Sequence, residues 1–428
     1  MFFKKTVKDI NPAGKTVLVR VDYNVPLKDG KITDTYRITQ SLPTLNYLLD
    51  KGAKLVLISH LGRPDGKPDP KYSLKPVVKE LSRQLNRQVQ FAPDCIGDAV
   101  ADQIKSLRPG DVLLCENLRF HAEEEQNDSV FAQALTKNCD LFVQDGFGVV
   151  HRAHASTDAV TKFLPSVAGL LLEKEVDTIT NVMHKPERPL MAIIGGAKIA
   201  DKIELIRKFI SLADIVAVGG AMANTFLLAR NFKIGASLAD ENEVPLARDI
   251  LRLAEEEAKK RRFVLVLPRD AVVATDIQTQ TKTRIVDWDT QVVADIENYP
   301  KRVPAQASSV EKHEKILDIG PFSGSFIAGA VQLSNTVVWN GTMGVTEVAS
   351  LQGPVGPFAH GSELVIESLL GEFGHRPFSL VGGGDTVGYV QERGLTAKFN
   401  HVSTGGGASL ELMAGKKLPG VEALENKE

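Results

Sequence analysis

The sequence predicts an α/β protein built from two parallel-sheet domains, and three observations predict it. At 428 residues the chain exceeds what one hydrophobic core usually supports, and an apolar content of 43% is ample for two. Short apolar, branched runs alternate throughout with segments of helical period, which is the signature of βαβ units. Polar residues or glycines follow these runs directly, and in doubly wound sheets ligands bind outside the carboxyl ends of the strands.

In the first half the strand-like runs are Val17–Val21, Leu55–Ile58, Val112–Leu114 and Leu141–Val143. Asp22 and Asn24, His60, Glu116 and Asn117, and Asp145 follow them, so these residues are expected to gather on one rim. Arg37 is expected just before a helix that begins near Pro43. Residues Pro165 to Val182 read as a long helix carrying Val167, Leu170, Leu171, Val176 and Ile179, either an interdomain helix, the reading adopted, or a packing helix of one domain. The second half repeats the style with Leu190–Ile194, Ile215–Val218, Phe263–Leu267, Thr336–Trp339 and Ser379–Val381. Residues 276–312 show no long apolar period and read as an elaborated connection, and the charged tail after Leu418 is expected to fray.

A formal net charge of -2, from 51 Lys+Arg against 53 Asp+Glu, argues against wholesale binding of nucleic acid or anionic membrane. Any positive charge that matters must be concentrated. Cys95, Cys115 and Cys139 fit neither a disulfide framework nor a metal knuckle, which points to a reducing cytoplasm. Neither a signal peptide nor a run of eighteen apolar residues is legible.

Gly195-Gly196-Ala197-Lys198 to Lys202 follows a strand and opens a segment with Ile199, Ile203, Ile206 and Ile210 at helical spacing. Lys198 and Lys202 are then expected on one face of a first helical turn, where the helix dipole disfavours cations unless an anion offsets them. The bland alternative is a tight turn followed by exposed lysines, since neither a Walker A motif nor G-x-G-x-x-G is present. Gly382-Gly383-Gly384-Asp385-Thr386 offers bare amides to a phosphate beside a carboxylate that could hold Mg²⁺, or is a glycine turn with an Asp cap. Gly405-Gly406-Gly407 is a third possible amide cradle. In the first half Ser59–Pro64, Asn117–His121 and His151–His154 place Arg and His in loops, and several arginines at one rim call for a strongly anionic ligand. His151 and His154 as metal ligands are the weaker reading, because no Cys or carboxylate stands at ligand spacing.

Taken together, Arg20–Pro26, Ser59–Pro64, Glu116–His121, Gly195–Lys202, Trp339–Gly341, Gly382–Thr386 and Ser403–Glu411 closely resemble, in order, the motifs of the phosphoglycerate kinase family. The resemblance implies two Rossmann-like domains facing each other across a cleft. Residues 1–165, joined by 404–428, would bind the acid; 166–182 would be the hinge helix; 183–403 would bind nucleotide. It further implies that Asp22, Asn24, Arg37, His60, Arg63, Arg119 and Arg152 hold 3-phosphoglycerate or its acyl phosphate. Lys198, Lys202, Gly220, Asn340, Glu347, Gly383, Gly384, Asp385 and Thr386 would hold ADP or ATP, with Glu347 at the ribose and Asp385 at Mg²⁺.

The implied reaction is reversible phosphoryl transfer between 1,3-bisphosphoglycerate and MgADP, with Arg37, Lys198, Gly384 and Gly407 around the group in transit. A cytoplasmic monomer with small-molecule partners alone is the family expectation. Three departures stand out: Thr342 where the family usually has proline, Thr346 where an aromatic commonly precedes Glu347, and Gly146 in place of a common alanine. The stretches 276–312 and 351–357 look longer than usual. A nicotinamide dehydrogenase could share such sheets, but it would need a strand-linked G-x-G-x-x-G that is not apparent.

Overall fold

The computed structural model describes residues 2–278, 281–288, 309–351 and 353–427. Its contacts divide the chain into two compact units, Met1–Thr180 with Thr404–Glu428, and Asn181–Ser403.

The first unit is built on six parallel strands: β1 (Thr16–Arg20), β2 (Lys54–Ile58), β3 (Val89–Ala92), β4 (Val112–Cys115), β5 (Leu141–Gln144) and β6 (Ser166–Ala168). Their spatial order is β3-β4-β2-β1-β5-β6. β1 is buried at all its residues, which requires cover on both faces and explains why its centre, Val17–Val19, is apolar without alternation. From β1 the chain works outward to one side, then returns to β5 on the other. That reversal places Asp22, after β1, and Asp145, after β5, at a topological switch point.

Three expectations for this unit are corrected. The stretch from Pro165 to Val182 is not one helix: Ser166–Ala168 pairs with β5, and the helix runs Leu170–His184. Val167 suits a strand as well as a helix, and pairing satisfies the backbone here, with Phe142 N donating to Pro165 O (3.0 Å) and Gly169 N to Gln144 O (2.8 Å). The helix starts where Asp145 Oδ1 accepts from Leu171 N (3.0 Å) and Leu172 N (3.3 Å). Burial pushes that carboxyl up to about 7.

The helix expected near Pro43 instead spans Tyr36–Asp50 with the proline inside it, so Arg37 lies in its first turn. Pro43 has no N–H for the carbonyl of Thr39, but Thr39 is exposed to water, and the stripe Ile38, Ser41, Leu45, Leu48 and Leu49 is buried throughout. The segment after Leu418 is not frayed either. Pro419–Glu422 is helical, Val421 and Leu424 are buried, Gly420 N donates to Val150 O (2.9 Å), and Asn426 pairs with Lys4. The Lys4 ammonium is itself buried and donates to the carbonyls of Glu422 (2.7 Å) and Leu424 (2.8 Å).

The second unit has strands β7 (Leu190–Ile194), β8 (Ile215–Val218), β9 (Val264–Val266), β10 (Asp270–Ala274), β11 (Arg284–Asp287), β12 (Lys315–Ile319), β13 (Thr336–Asn340), β14 (Phe378–Gly382) and β15 (His401–Val402). Six form a parallel sheet in the order β9-β8-β7-β13-β14-β15, with its switch point between β7 and β13. β10, β11 and β12 make a separate antiparallel sheet that the sequence did not announce. Of the stretch 276–312, residues 279–280 and 289–308 lie outside the described residues, as does residue 352 of the stretch 351–357.

Candidate active site

In the first unit the expected acid-binding residues converge on His60. Arg37 Nη1 donates to Asp22 Oδ2 at 2.8 Å and to the carbonyl of Asn24 at 3.3 Å. Asn24 Oδ1 accepts from Gly62 N at 2.9 Å, and Arg119 Nη1 donates to Gly62 O at 2.8 Å. Arg152 donates through Nε to His151 Nε2 at 3.2 Å. His60 is buried, and burial, followed by Arg20, Arg119, Arg37 and Arg152, holds its pKa well below the ordinary value. Its Nδ1 accepts from Arg20 Nη2 at 3.2 Å, so the neutral ring carries its proton on Nε2. Arg63 is exposed and close enough to Arg119 to lower that guanidinium further after burial, Glu125 and Arg152 have acted on it.

The counter-charges are few. Asp22 answers Arg37, a half-exposed Glu125 answers Arg119 at 3.1 Å, and the buried Glu124 acts on both Arg20 and Arg119. Arg119 Nη2 is buried without a hydrogen-bond partner among the described residues. A guanidinium N–H left unpaired beside other arginines is a site for an anionic oxygen. His151 and His154 are both pushed down to about 4, burial being the largest cause for each, so the rim offers neutral imidazoles and permanent cations.

The sequence missed Arg20, which is fully buried and donates Nε to Ser156 Oγ at 2.9 Å. Its position within an apolar strand was the available signal. Two other rim residues are occupied structurally. Glu116 accepts from Ser73 Oγ (2.6 Å) and Leu74 N (2.8 Å), and Asn117 ties Leu61 to Tyr72 through its amide. Among the described residues the one trio of possible metal ligands is Asp94, Cys95 and His121, with donor atoms within 4.8 Å of one another. His121 Nε2 already pairs with Asp94 Oδ1 at 2.7 Å, and burial pushes the Cys95 thiol well up, so the trio is satisfied as it stands.

Gly407 also belongs to the first unit, in the first turn of the helix Gly406–Met413. A side chain there would come within 3.0 Å of His151 Nε2. Thr404 N and Oγ1 both donate to Glu175 Oε1, at 2.6 and 2.8 Å, fixing the entry to this helix.

The second unit contains a cavity of about 230 Å³ whose lining includes Gly196, Gly220, Thr342, Glu347 and Asp385. Gly220 has φ +65°, and a Cβ there would stand 2.7 Å from Gly196 N, so two glycine loops pass each other as no other residue allows. Lys198 and Lys202 do not share a helical turn, contrary to expectation. Glu243 accepts from Ile199 N (2.8 Å) and Ala200 N (3.2 Å), so the loop enters as a single 3₁₀ turn, Ala200–Lys202, before the helix Ile203–Leu212.

Lys198 is consequently exposed, while Lys202 turns inward and donates to Gly195 O (2.5 Å) and Asn340 O (3.0 Å). Burial brings the Lys202 ammonium down to about 8 against the opposing pull of Asp385 and Asp201. Asn340 ends β13 fully buried, with neither amide atom hydrogen-bonded within the described residues. Gly383, at φ +89°, leaves that amide room: a Cβ would sit 3.0 Å from Asn340 Oδ1. Gly384 and Asp385 open the helix Gly384–Glu392 and are exposed, whereas Thr386 is buried, accepting from Gly341 N at 2.6 Å to hold the β13 turn. The sequence did not pick out Asn224, Leu238, Trp288 or Asp318, which also line the cavity.

The phosphoglycerate kinase family model matches residues 7–416. The chain is similar to the phosphoglycerate kinase of Moorella thermoacetica, 46% identical over 99% of this chain and 100% of that one. It is 43% identical to that of Pelotomaculum thermopropionicum over the same shares. Among solved structures it resembles phosphoglycerate kinase from Coxiella burnetii, with TM-score 0.80, 33% identity and 98% of each chain covered. The enzyme from Pyrococcus horikoshii matches with TM-score 0.80 and 30% identity over 99% of this chain and 98% of that one. The chain belongs to the phosphoglycerate kinase family and is a phosphotransferase.

Proposed function

We propose that the first unit holds the phosphorylated acid and the second the nucleotide for the family reaction, reversible transfer of the acyl phosphate of 1,3-bisphosphoglycerate to MgADP, giving 3-phosphoglycerate and MgATP. The observation that carries this reading is the pairing of two unlike anion sites on separate units. One is a ring of arginines around a neutral His60; the other is a glycine-walled cavity backed by Lys202 and Asn340. Arginine forks suit carboxylate and phosphate on a small acid, and bare amides suit the phosphates of a nucleotide.

Neither the attacking β-phosphate oxygen nor the leaving carboxylate must lose a proton near neutral pH, so no general base is needed. The downshifted histidines fit that requirement as uncharged donors. Catalysis is alignment and neutralisation of charge on the moving group by Arg37 and Lys198 with the amides of Gly384 and Gly407. Asp22, Asn24, His60, Arg63, Arg119 and Arg152 bind the acid; Lys202, Gly220, Asn340, Gly383 and Thr386 shape the phosphate cradle, and Glu347 takes the ribose. Asp385 is an exposed hard-oxygen donor on the cavity wall and fits Mg²⁺, which when bound neutralises charge on the nucleotide's phosphate oxygens.

The helix Leu170–His184 is the proposed hinge, because the division between the units falls within it, and Glu175 on the same helix holds Thr404, where the chain re-enters the first unit. Closure about it would exclude water from the acyl phosphate. We also infer a cytoplasmic setting, supported by three free cysteines, and a monomer. No helix among the described residues is long and apolar enough to cross a membrane. The test is a coupled assay of ATP formation from 1,3-bisphosphoglycerate and MgADP, in which turnover no faster than the uncatalysed control would sink the reading.

A further inference from the structure

Behind the acid-binding rim of the first unit runs a line of buried polar side chains that the reading above leaves without a task. Glu124, in the short helix Ala122–Glu125, is 1% exposed; its Oε1 accepts from Ser156 Oγ at 2.6 Å and its Oε2 from Ser156 N at 3.0 Å. The serine hydroxyl gives its one proton to Glu124, so toward Arg20 Nε, 2.9 Å away, it can only accept. Arg20 in turn donates Nη1 to Val21 O and Nη2 to His60 Nδ1, the latter at 3.2 Å. A carboxylate only accepts and a guanidinium only donates, so donor and acceptor are settled at every step of the line. Burial pushes the Glu124 carboxyl up, and Arg20 is the leading influence in the other direction, as befits an ion pair held apart by one hydroxyl.

Arg20 meets its carboxylate differently from Arg393. On Arg393 the edge formed by Nε and Nη2 grips Glu363 directly, at 2.7 and 2.8 Å, in the ordinary fork. On Arg20 that edge is divided: Ser156 stands between Nε and Glu124, which leaves Nη2 for the histidine. A direct fork would also neutralise the guanidinium, but it would occupy the N–H that His60 receives. Facing an arginine, His60 Nδ1 can only accept, so the neutral ring keeps its proton on Nε2, which makes no hydrogen bond among the described residues and is not sealed from solvent. We propose that Glu124 and Ser156 are positioning residues for the acid substrate: acting through Arg20, they hold the His60 ring so that its single N–H is presented to a carboxylate or phosphate oxygen. The inference rests on the first unit being the acid site, and neither Glu124 nor Ser156 touches the substrate.

The test is NMR of the ring nitrogens in full-length protein labelled at histidine, read beside steady-state kinetics and ADP calorimetry. In the wild type the His60 signals, identified by their loss in His60→Gln, are expected to show a protonated Nε2 and a bare Nδ1. Glu124→Gln, which keeps the shape and removes the charge, is expected to let the second tautomer appear and to raise KM for 3-phosphoglycerate roughly tenfold, with kcat falling less and ADP affinity unchanged. Ser156→Ala breaks the same line while keeping the backbone donor to Glu124, and it should give the same signature if Glu124→Gln does not fold. A role in folding alone would lower the melting temperature and leave both the ring and KM as they were. That outcome overturns the proposal, as does a change in only one of the two, or a wild-type His60 protonated on Nδ1. Wild-type protein that neither binds nor turns over 3-phosphoglycerate would instead overturn the acid-site reading itself.

Discussion

Two cations that look alike in the sequence do different work in the structure. Arg37 is partly exposed and anchored through Asp22, so it can meet a ligand without losing its position. Arg37→Ala is expected to lower kcat by about 10²–10³, or about 3–4 kcal/mol of transition-state stabilisation, with ADP affinity unchanged. Near-normal turnover in that variant would remove Arg37 from the mechanism. Lys202 is half-buried, with its enclosed ammonium down to about 8 in the free protein. Only the charged form attracts phosphate, so kcat/KM for ADP should be full below about pH 8 and decline above it as the proton leaves. Lys202→Arg, which stays charged, should abolish that decline in a pH profile, and Lys202→Ala should weaken ADP binding at every pH. The cationic character of both residues was legible in the sequence; the enclosure of the Lys202 ammonium was not, since it depends on where β13 ends beside β7.

At the scale of the element, the sequence was most legible where strands are buried on both faces. β1, β7 and β13 are buried at every residue; β7 is apolar throughout, and β1 and β13 are apolar without alternation across their centres, Val17–Val19 and Val337–Trp339. β6 and the antiparallel strands β10 to β12 were illegible because they are short or carry polar residues, and Val167 fits two periods at once. Carboxylates after strands were harder still: Asp22 meets an arginine, while Asp145 and Glu116 hold helix entrances, and nothing local separates the three. Glu243 is of the same kind, reaching across sequence to the Gly195–Lys202 loop. Glu243→Ala should release two backbone amides, cost about 1–2 kcal/mol of stability, and loosen ADP binding without touching acid affinity. Calorimetry with each ligand separately checks this, and unchanged ADP affinity would show that the loop holds its shape without Glu243.

At the scale of the whole molecule, each unit has its own sheet, and the first is completed by a segment distant in sequence. Leu424 is buried in that segment, so Leu424→Ala should destabilise the first unit by about 2–5 kcal/mol. In denaturant melts followed with and without ADP, the variant's early transition should move while the ADP-stabilised one stays. A single transition that moves as a whole would mean that the units unfold together. The same closure has a consequence for synthesis. A ribosome makes residues 181–403 after most of the first unit and before the segment that pairs Asn426 with Lys4 and seats Gly420 on Val150. The second unit is therefore made between the two parts of the first, whose flank stays open until residues 404–428 are in place. Chaperones meeting this chain during translation should find their exposed apolar surface on its earliest part.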